Sequence, residues 1–392
     1  MLKLTGLTLE GFKSFAAPFS DENLPGLPGR GRMTNRLALG DVTVLVGPNG
    51  AGKSNVTSFF KMLNFLTTGA LQEYVARSGY ADSILHYGLK RTARMKALLE
   101  FEDEQDGARD KYEFSLLGVP SGALVFAEET IEYSSQTHAK PYRKSLGELH
   151  KESLLDSAKK DNPTAGVVFG VLKGCRFYQF HDTSSEARIR QDGYIEDNGY
   201  LRSDAGNLAA FLYGLKSRAE TEPYYRQIEN TVQLTFPQLR CFSLEPRVAN
   251  KRYILLNWYS RAYEDYLLGS HQISDGALRF TAMATLLLQP PDKLPAFIVL
   301  DEPELGLHPG AIELLAEMIK GVALHQTQVL VATQSPQLVN YFDLSQIRPI
   351  EHRGGRSVIL ELDPDAYSEW LEEYSTGELW EKNVIGGGPT YG

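Results

Sequence analysis

The sequence has few of the features that mark secreted or membrane-spanning proteins. It contains only two cysteines, Cys175 and Cys241, which lie far apart and in no CxxC arrangement. We therefore expect structural thiols in a reduced, cytoplasmic setting. The longest apolar stretches, such as "TAMATLLLQPP" at 281–291, are shorter than a membrane span, and the N-terminus "MLKLTGLTLEGF" lacks the pattern of a signal peptide. These absences argue against a membrane as a partner.

The sequence also lacks a net positive charge and internal repeats. The formal net charge of −9 argues against a surface coated with basic residues for nucleic acid, although it leaves room for a local basic patch. No internal repeat and no sustained heptad pattern occurs, so we expect no long coiled-coil arms. What remains is the composition of an ordinary globular protein, 42% hydrophobic and 23% charged.

Hydrophobic patterns predict a mixed α/β fold. The first strand changes phase at Gly6, which indicates a β-bulge, and residues 94–134 alternate as an antiparallel meander does. The polar stretch 144–163 is typical of a surface helix and loop. Between 296 and 333, unbroken apolar runs flank a helical pattern, which indicates a parallel sheet covered on both faces.

The stretch "GPNGAGKS" matches the phosphate-binding loop pattern G-x-x-x-x-G-K-[ST]. An apolar strand, "DVTVLV", precedes it and an amphipathic helix follows, which is the context that such a loop needs. Its backbone N–H groups would wrap phosphate oxygens, Lys53 would reach the β- and γ-phosphates of ATP, and Ser54 would ligate Mg²⁺. The alternative is a mere glycine-rich turn. The residues assigned to nucleotide binding here are Gly47, Pro48, Asn49, Gly50, Ala51, Gly52, Lys53, Ser54 and Asn55.

A second motif, "AFIVLDEPELGLHP", ends an apolar strand with two carboxylates. Strand ends of a parallel sheet are where ligands bind in open α/β folds. We expect Asp301 to hold Mg²⁺, directly or through water, and Glu302 to polarise the attacking water as general base. Alternatively, the pair could simply supply negative charge to the helix that begins just after it.

The order of the motifs resembles that of the ABC-type ATPase heads of the RecF and SMC class. Within that class the chain is most similar to the OLD-like predicted ATPases of the AAA family, through the blocks "GFKSF", "SDGALR", "DEPELGLHP" and "ATQSP". The resemblance implies a P-loop NTPase of ABC-ATPase head type with an antiparallel β subdomain and a helical insert. It also implies a division into an N-terminal lobe (1–103), an insert (104–250) and a C-terminal lobe (251–392).

The same resemblance gives "ISDGALRF" a role as the ABC signature. In such heads this loop caps the γ-phosphate held by a partner copy, so Ser274 would donate its hydroxyl and Gly276 would allow close backbone approach. Asp275 stands where the family commonly has a second glycine, and we expect it to orient the loop. A plain helix N-cap by Ser274 is the compatible alternative. Lys13, in "GFKSF", lies where the resembling heads approach the nucleotide.

Other positions depart from the family pattern or leave two readings open. Gln334 stands where the resemblance predicts a histidine that contacts the γ-phosphate, and an amide cannot carry the charge of an imidazolium. We therefore expect ATP hydrolysis to be slow. His308 belongs either to a loop at the dimer interface or to an ordinary helix start. No stretch matches the water-positioning glutamine of ABC heads convincingly, and Gln72 and His86 are the weak candidates.

These observations predict an ATP hydrolase that forms a homodimer, or a higher homo-oligomer, around ATP. The resemblance implies a DNA-related process, either repair or anti-phage defence. The segment after "ATQSP" is too short for a fused TOPRIM-type nuclease domain, so we expect a separate effector such as a nuclease. The alternative is an ATP-gated scaffold or sensor with little turnover. A nucleotide-binding subunit of a membrane transporter fits less well, because the insert between the phosphate loop and the signature is too long.

Overall fold

The computed structural model describes residues 2–17, 32–135, 140–262 and 265–388. Its strands are β1 (Leu2–Glu10), β2 (Arg32–Thr34), β3 (Arg36–Ala38), β4 (Val42–Val46), β5 (Arg94–Asp103), β6 (Arg109–Gly118), β7 (Leu124–Ser134), β8 (Tyr142–Gly147), β9 (Cys175–Tyr178), β10 (Gly193–Tyr194), β11 (Leu239–Ser243), β12 (Tyr253–Ile254), β13 (Asn257–Ser260), β14 (Leu267–Leu268), β15 (Phe297–Asp301), β16 (Gln328–Thr333), β17 (Ile347–Arg353) and β18 (Arg356–Glu361).

The α-helices alternate with these strands along the chain. They are α1 (Lys53–Thr67), α2 (Leu71–Arg77), α3 (Tyr80–Ile84), α4 (Leu155–Ala158), α5 (Pro163–Gly174), α6 (Leu208–Lys216), α7 (Glu222–Thr235), α8 (Asp275–Leu287), α9 (Pro309–Ala323), α10 (Pro336–Val339), α11 (Ser368–Glu373) and α12 (Thr376–Glu381). Among the described residues, no helix has the length and apolar character needed to cross a membrane.

The chain folds into two compact units. The first unit comprises Met1–Arg176, Ala296–Val299 and Gln328–Gly392, and the second comprises Phe177–Pro295 and Leu300–Thr327. Asp301, the last residue of β15, therefore counts with the second unit. The division into lobes 1–103, 104–250 and 251–392 stays a prediction, because the two units do not test it.

An antiparallel sheet of six strands, in the order β3-β1-β5-β6-β7-β8, forms one layer of the first unit. The register of β1 against β5 shifts between Leu4 and Gly6, which is the bulge predicted from the phase change. The alternating apolar residues of β5, β6 and β7 are buried on one face. There the ring of Phe59, from α1, stacks on that of Phe114 with centroids 6.4 Å apart. This packing ties α1 to the sheet.

The other sheet carries the candidate site of the first unit. Its order is β2-β18-β17-β4-β16-β15-β9, and β4 pairs in parallel with both β16 and β17. All residues of β4, β15 and β16 are buried. The predicted parallel sheet of continuous apolar strands is therefore confirmed. Because β4 leads directly into the glycine loop, the sheet fixes where that loop begins.

The second unit combines helices with two small sheets. The helices α6, α7, α8 and α9 pack on one another, and β11, β13 and β14 form an antiparallel sheet. The stretches "SDAGNLAAFLYGLKSR" and "PYYRQIENTVQLTF", both with apolar residues at helical spacing, contain α6 and most of α7. The rings of Phe236 and Trp258, with centroids 4.9 Å apart, join the end of α7 to β13.

One sequence-based prediction in the first unit is wrong. The stretch 144–163 is not mainly a surface helix, because its start belongs to strand β8 and only the short α4 follows before α5. β8 pairs with β7 alone, at the edge of the six-stranded sheet, and it has no buried residue. An exposed edge strand lacks the alternation of apolar residues that makes a strand visible in sequence.

Asp110, on β6, carries a carboxyl group that is buried in the fold. It is 5% exposed, and its Oδ1 atom has no hydrogen-bond partner in the described part of the chain. Burial raises its pKa from the usual 3.8 to about 6, and the negative charges of Asp103 and Asp106 act in the same direction.

We predict that Asp110→Asn stabilises the protein near pH 7. Because the folded-state pKa lies above the unfolded one, the contribution of Asp110 to stability is present below about pH 4 and is lost as the pH rises through about 6. The amide removes this loss, and we expect a gain of about 1–2 kcal/mol in the free energy of unfolding at pH 7. Urea unfolding between pH 4 and 8 measures it. The exposed Asp292→Asn is the control, and a gain for Asp110→Asn that does not depend on pH would contradict the explanation.

Candidate nucleotide-binding site

The phosphate-binding loop lies between β4 and α1, as the motif predicts. Gly52 is the N-cap residue of α1, with φ of 120°, a conformation that side chains rarely adopt. A Cβ at this position would also clash with the Ser357 hydroxyl. Within the described part of the chain no side chain caps the helix, and no acidic residue occupies its first turn. The N–H groups and the positive dipole end at the N-terminus of α1 are therefore suited to an anion.

Lys53 lies along the loop. It is 5% exposed, and its Nζ atom donates to the carbonyl oxygens of Gly47 (2.5 Å) and Pro48 (3.2 Å). Ser54, the next residue, is exposed at the start of the helix. The cation that the motif assigns to phosphate is thus adjacent to the loop's own backbone.

A chain of hydrogen bonds supports the loop from the side. The Asn55 amide donates to Ser14 Oγ (2.6 Å), and Ser14 Oγ lies 2.6 Å from Ser357 Oγ. The Ser357 hydroxyl in turn lies 2.5 Å from the Ala51 carbonyl oxygen. The stretch "GFKSF" therefore reaches the loop through Ser14, and the approach of Lys13 to the nucleotide stays a prediction. Ser357, on β18, was not among the predicted site residues.

Lys13 has a left-handed backbone conformation and an amine with a lowered pKa. Its φ is 48°, its N–H donates to the carbonyl of Ile84 (2.7 Å), and its own carbonyl oxygen lies 2.6 Å from His86 Nδ1. Burial lowers the pKa of the Lys13 amine, and the charge of Lys61 lowers it further. His86 thus has a structural contact, with the Lys13 backbone. Gln72 also has one, because its amide donates to the carbonyls of Leu124 and Lys151.

In the second unit, Asp301 and Glu302 end β15 and begin a loop. Asp301 is 7% exposed. Glu302 has a φ of 44°, the left-handed conformation that a residue with a side chain adopts only under strain, and its carbonyl accepts from Leu305 N at 3.2 Å. Strain of this kind persists where the surrounding structure enforces it, and it is concentrated at functional sites.

Asp301 is contacted by Gln179 and His181, which both follow β9. The Gln179 side-chain amide donates to Asp301 Oδ2 (3.2 Å), and His181 Nε2 lies 2.9 Å from the Asp301 carbonyl oxygen. Gln179 Nε2 also lies 3.3 Å from His181 Nδ1. The distances fit one tautomer, in which His181 donates from Nε2 and accepts at Nδ1. Gln179 therefore lies directly beside the Asp301 carboxylate, a contact that the sequence did not reveal.

The signature loop leads into α8, which starts at Asp275. Ser274 is exposed and caps the helix, its Oγ accepting from Ala277 N at 3.4 Å. Asp275 forms an ion pair with Arg190 (2.7 Å), and this hydrogen bond lowers the pKa of the Asp275 carboxyl. The carboxylate is thereby held by a cation of the same chain, in agreement with the expectation that it orients the loop.

Gly276 is required by the fold of this unit itself. A Cβ at this position would lie 2.5 Å from the carbonyl oxygen of Gly306, in the loop that follows Glu302. Close packing of α8 on that loop is therefore a sufficient reason for a glycine, whether or not a partner's phosphate also approaches it. The sequence pattern could not separate these two causes.

The remaining candidates have simpler surroundings. His308 is the N-cap of α9, and its Nδ1 atom accepts from Gly310 N at 3.4 Å, which is the ordinary helix start considered above. Gln334 follows β16 and is half-buried.

The residues assigned to Mg²⁺, Ser54 and Asp301, supply the oxygen ligands that this ion prefers. Among the described residues, no group of three or more His, Cys, Asp or Glu side chains forms a separate metal site.

We predict that Gly276→Ala destabilises the chain even without nucleotide. The added methyl group must displace the Gly306 backbone, and we expect a loss of about 1–3 kcal/mol in the free energy of unfolding. Gly310→Ala is the matched control, because a Cβ there meets its nearest atom, His308 Nδ1, at 4.0 Å. Because alanine has a higher helix propensity than glycine, Gly310→Ala should leave the stability unchanged or raise it slightly. Equal stability of the two variants in urea unfolding would contradict the packing argument.

Comparisons with known proteins agree with this geometry. A Smc head bound to the C-terminal winged-helix domain of ScpA superposes with a TM-score of 0.55 at 14% identity, covering 94% of this chain and 99% of that one. A Smc head domain with an extended coiled coil, bound to the C-terminal domain of ScpA from Pyrococcus furiosus, gives 0.53 at 15% identity, with 95% and 99% covered. At such identities the likeness shows the fold, which is that of an ABC-type ATPase head.

The family comparison covers the segment that holds all these motifs except "GFKSF". No curated protein matches the chain. The model of one protein family matches residues 42–340, from the strand before the phosphate loop to the helix after "ATQSP". The chain belongs to this family, described as AAA domain, putative AbiEii toxin, Type IV TA system.

Proposed function

We propose that the chain binds and hydrolyses ATP, and that two copies close around the nucleotide. The observation that carries this proposal is the loop from Gly47 to Gly52, which ends at an uncapped helix N-terminus with Lys53 lying along it. Such a loop binds phosphate through backbone N–H groups and the helix dipole. The AAA family membership and the ABC-type head fold support the same reading.

The roles proposed for the residues follow the order of the motifs. Lys53 would neutralise the β- and γ-phosphates, and Ser54 and Asp301 would hold Mg²⁺, which supplies further positive charge to the phosphates. Glu302 would take a proton from the water whose oxygen attacks the γ-phosphorus while the bond to the β,γ-bridging oxygen breaks. Gln179 would orient that water, since it already contacts Asp301. Gln334 would donate a neutral hydrogen bond to the γ-phosphate, which keeps turnover slow.

The exposed position of the signature loop supports the proposed dimer. Ser274 and Asp275 are exposed at the N-terminus of α8, and Arg190 fixes the loop from behind. A preformed, exposed loop of this kind suits the γ-phosphate of a nucleotide bound by a second copy. Lys13 would approach the same nucleotide that its own copy binds.

The purpose of the ATPase cycle is proposed from the resemblance to OLD-like ATPases. We infer that the head gates a DNA-related process, in repair or anti-phage defence, through a separate effector chain such as a nuclease. The two Smc heads are themselves bound to domains of another protein, ScpA, which is a precedent for action through a partner. A pull-down from the native host that recovers no partner chain would count against this inference.

One observation favours a different function, an ATP-gated scaffold or sensor with little turnover. Gln334 replaces the expected histidine, and an amide stabilises the charge of the transition state less than an imidazolium does. The scaffold and the enzyme differ in whether hydrolysis depends on Glu302.

We predict that Glu302→Gln abolishes hydrolysis and preserves ATP binding. Removal of a general base costs about 10²- to 10⁴-fold in rate, whereas the amide is isosteric and leaves the phosphate loop intact. Phosphate release measures turnover, and calorimetry measures the dissociation constant of Mg-ATP, which should change by less than about threefold. Glu313→Gln, on the exposed side of α9, is the control. A wild-type rate equal to that of Glu302→Gln would favour the scaffold.

A further inference from the structure

Two arginines in the second unit connect the signature loop with the residues around Asp301. Both contact a stretch after β9 that we call the 179–190 segment, from Gln179 to Arg190. Arg279 lies within "SDGALR", whereas Arg190 belongs to none of the motifs. The sequence did not reveal what either arginine contacts, because most of their partners lie about 80 to 100 residues away along the chain.

Arg190 fixes the signature loop. Its guanidinium is 5% exposed, and it donates to the carbonyl oxygens of Thr183 (2.7 Å), Ile273 (3.1 Å) and Ser270 and to the Asp275 carboxylate (2.7 Å). The Ser270 hydroxyl donates back to the Arg190 carbonyl oxygen at 2.9 Å. The position of the loop is thus set by the 179–190 segment.

Arg279 projects from α8 itself, in the second turn after Ser274. Its Nη2 atom donates to the carbonyl oxygen of His181 (2.8 Å) and to Thr183 Oγ1 (3.1 Å), and its Nη1 atom donates to the carbonyl oxygen of Leu305 (3.2 Å). The planar fork of a guanidinium can join three such acceptors in fixed directions, which an ammonium cannot do. One side chain therefore links the signature helix to two other segments.

Both of those segments reach the catalytic carboxylates. His181 and Gln179 contact the backbone and the carboxylate of Asp301. Leu305 follows Glu302 in the strained loop, where its N–H donates to the Glu302 carbonyl oxygen. The contact of Gly276 with Gly306 adds a second point at which α8 rests on this loop. A displacement of α8 would consequently move both segments.

We propose that Arg279 couples the signature loop of each copy to that copy's own Asp301–Leu305 segment. This inference rests on the proposed dimer, in which Ser274 faces the ATP of the partner copy while Glu302 acts on the ATP of its own. Seating of Ser274 on the partner's ATP then sets the geometry of Glu302 through α8 and Arg279. Coupling of this kind is a free energy between two sites, carried by a packed helix and its hydrogen bonds.

A double-mutant cycle on ATP turnover tests the coupling. The proteins are the wild type, Ser274→Ala, Arg279→Lys and the double variant, all assayed by phosphate release at saturating Mg-ATP. We expect each single change to lower turnover by about tenfold, and the double variant to be within about twofold of the slower single variant. The losses should not multiply, because both changes interrupt one connection. A double variant about 100-fold slower than the wild type would show independent effects and overturn the coupling.

Two further variants keep the test decisive. Arg188→Lys changes an exposed arginine of the 179–190 segment whose guanidinium pairs with Asp204, and it should leave turnover within about twofold. If Arg279→Lys fails to fold, as judged by thermal unfolding, Thr183→Val takes its place in the cycle, because it removes a hydroxyl acceptor of Arg279 and keeps the side-chain volume.

The coupling and the dimer can fail separately. The mass of the Glu302→Gln protein is measured with and without Mg-ATP, and an unchanged mass would contradict the dimer itself. An ATP-dependent increase in mass, together with losses that multiply in the cycle, would leave the dimer in place and contradict only the role of Arg279.

Discussion

A chain with a net charge of −9 can hold a triphosphate only where local backbone dipoles outweigh its overall charge. The loop from Gly47 to Gly52 meets this constraint. It places an uncapped helix N-terminus beside Lys53, and it depends on β4 for its start and on Ser14, Asn55 and Ser357 for its side support. The buried parallel strands around β4 make that support rigid, so the fold of the first unit serves the geometry of one anion site.

The second unit has a different task, which is to hold two exposed polar segments in fixed positions. The loop at Ser274 leads into a capped helix, and the loop at Glu302 has a strained backbone. One buried guanidinium group, of Arg190, and one half-buried one, of Arg279, hold these loops through hydrogen bonds. Arg190 satisfies carbonyl groups behind the signature loop, and Arg279 joins α8 to the backbone near Asp301 and Glu302. The buried charge of Arg190 is tolerated because its guanidinium donates to carbonyl oxygens and to the Asp275 carboxylate.

The sequence predicted the parts of the structure that depend on local pattern. The bulge at Gly6, the meander of β5–β7, the parallel strands and the phosphate loop all follow from periodicity or from residues close together in the chain. The strand β8 was missed because an exposed edge strand has no apolar alternation. The contacts of Gln179, Arg190, Arg279 and Ser357 were missed for another reason. Their partners are distant in sequence, and only folding brings them together.

If ATP brings two copies together through the signature loop, the mass of the protein in solution should depend on ATP. Light scattering of the Glu302→Gln protein, with and without Mg-ATP, should show a doubling of mass that depends on ATP. Adding Ser274→Arg, which places a bulky cation where the hydroxyl should meet the γ-phosphate, should abolish the doubling. A mass that responds to neither ATP nor the change at Ser274 would contradict the account.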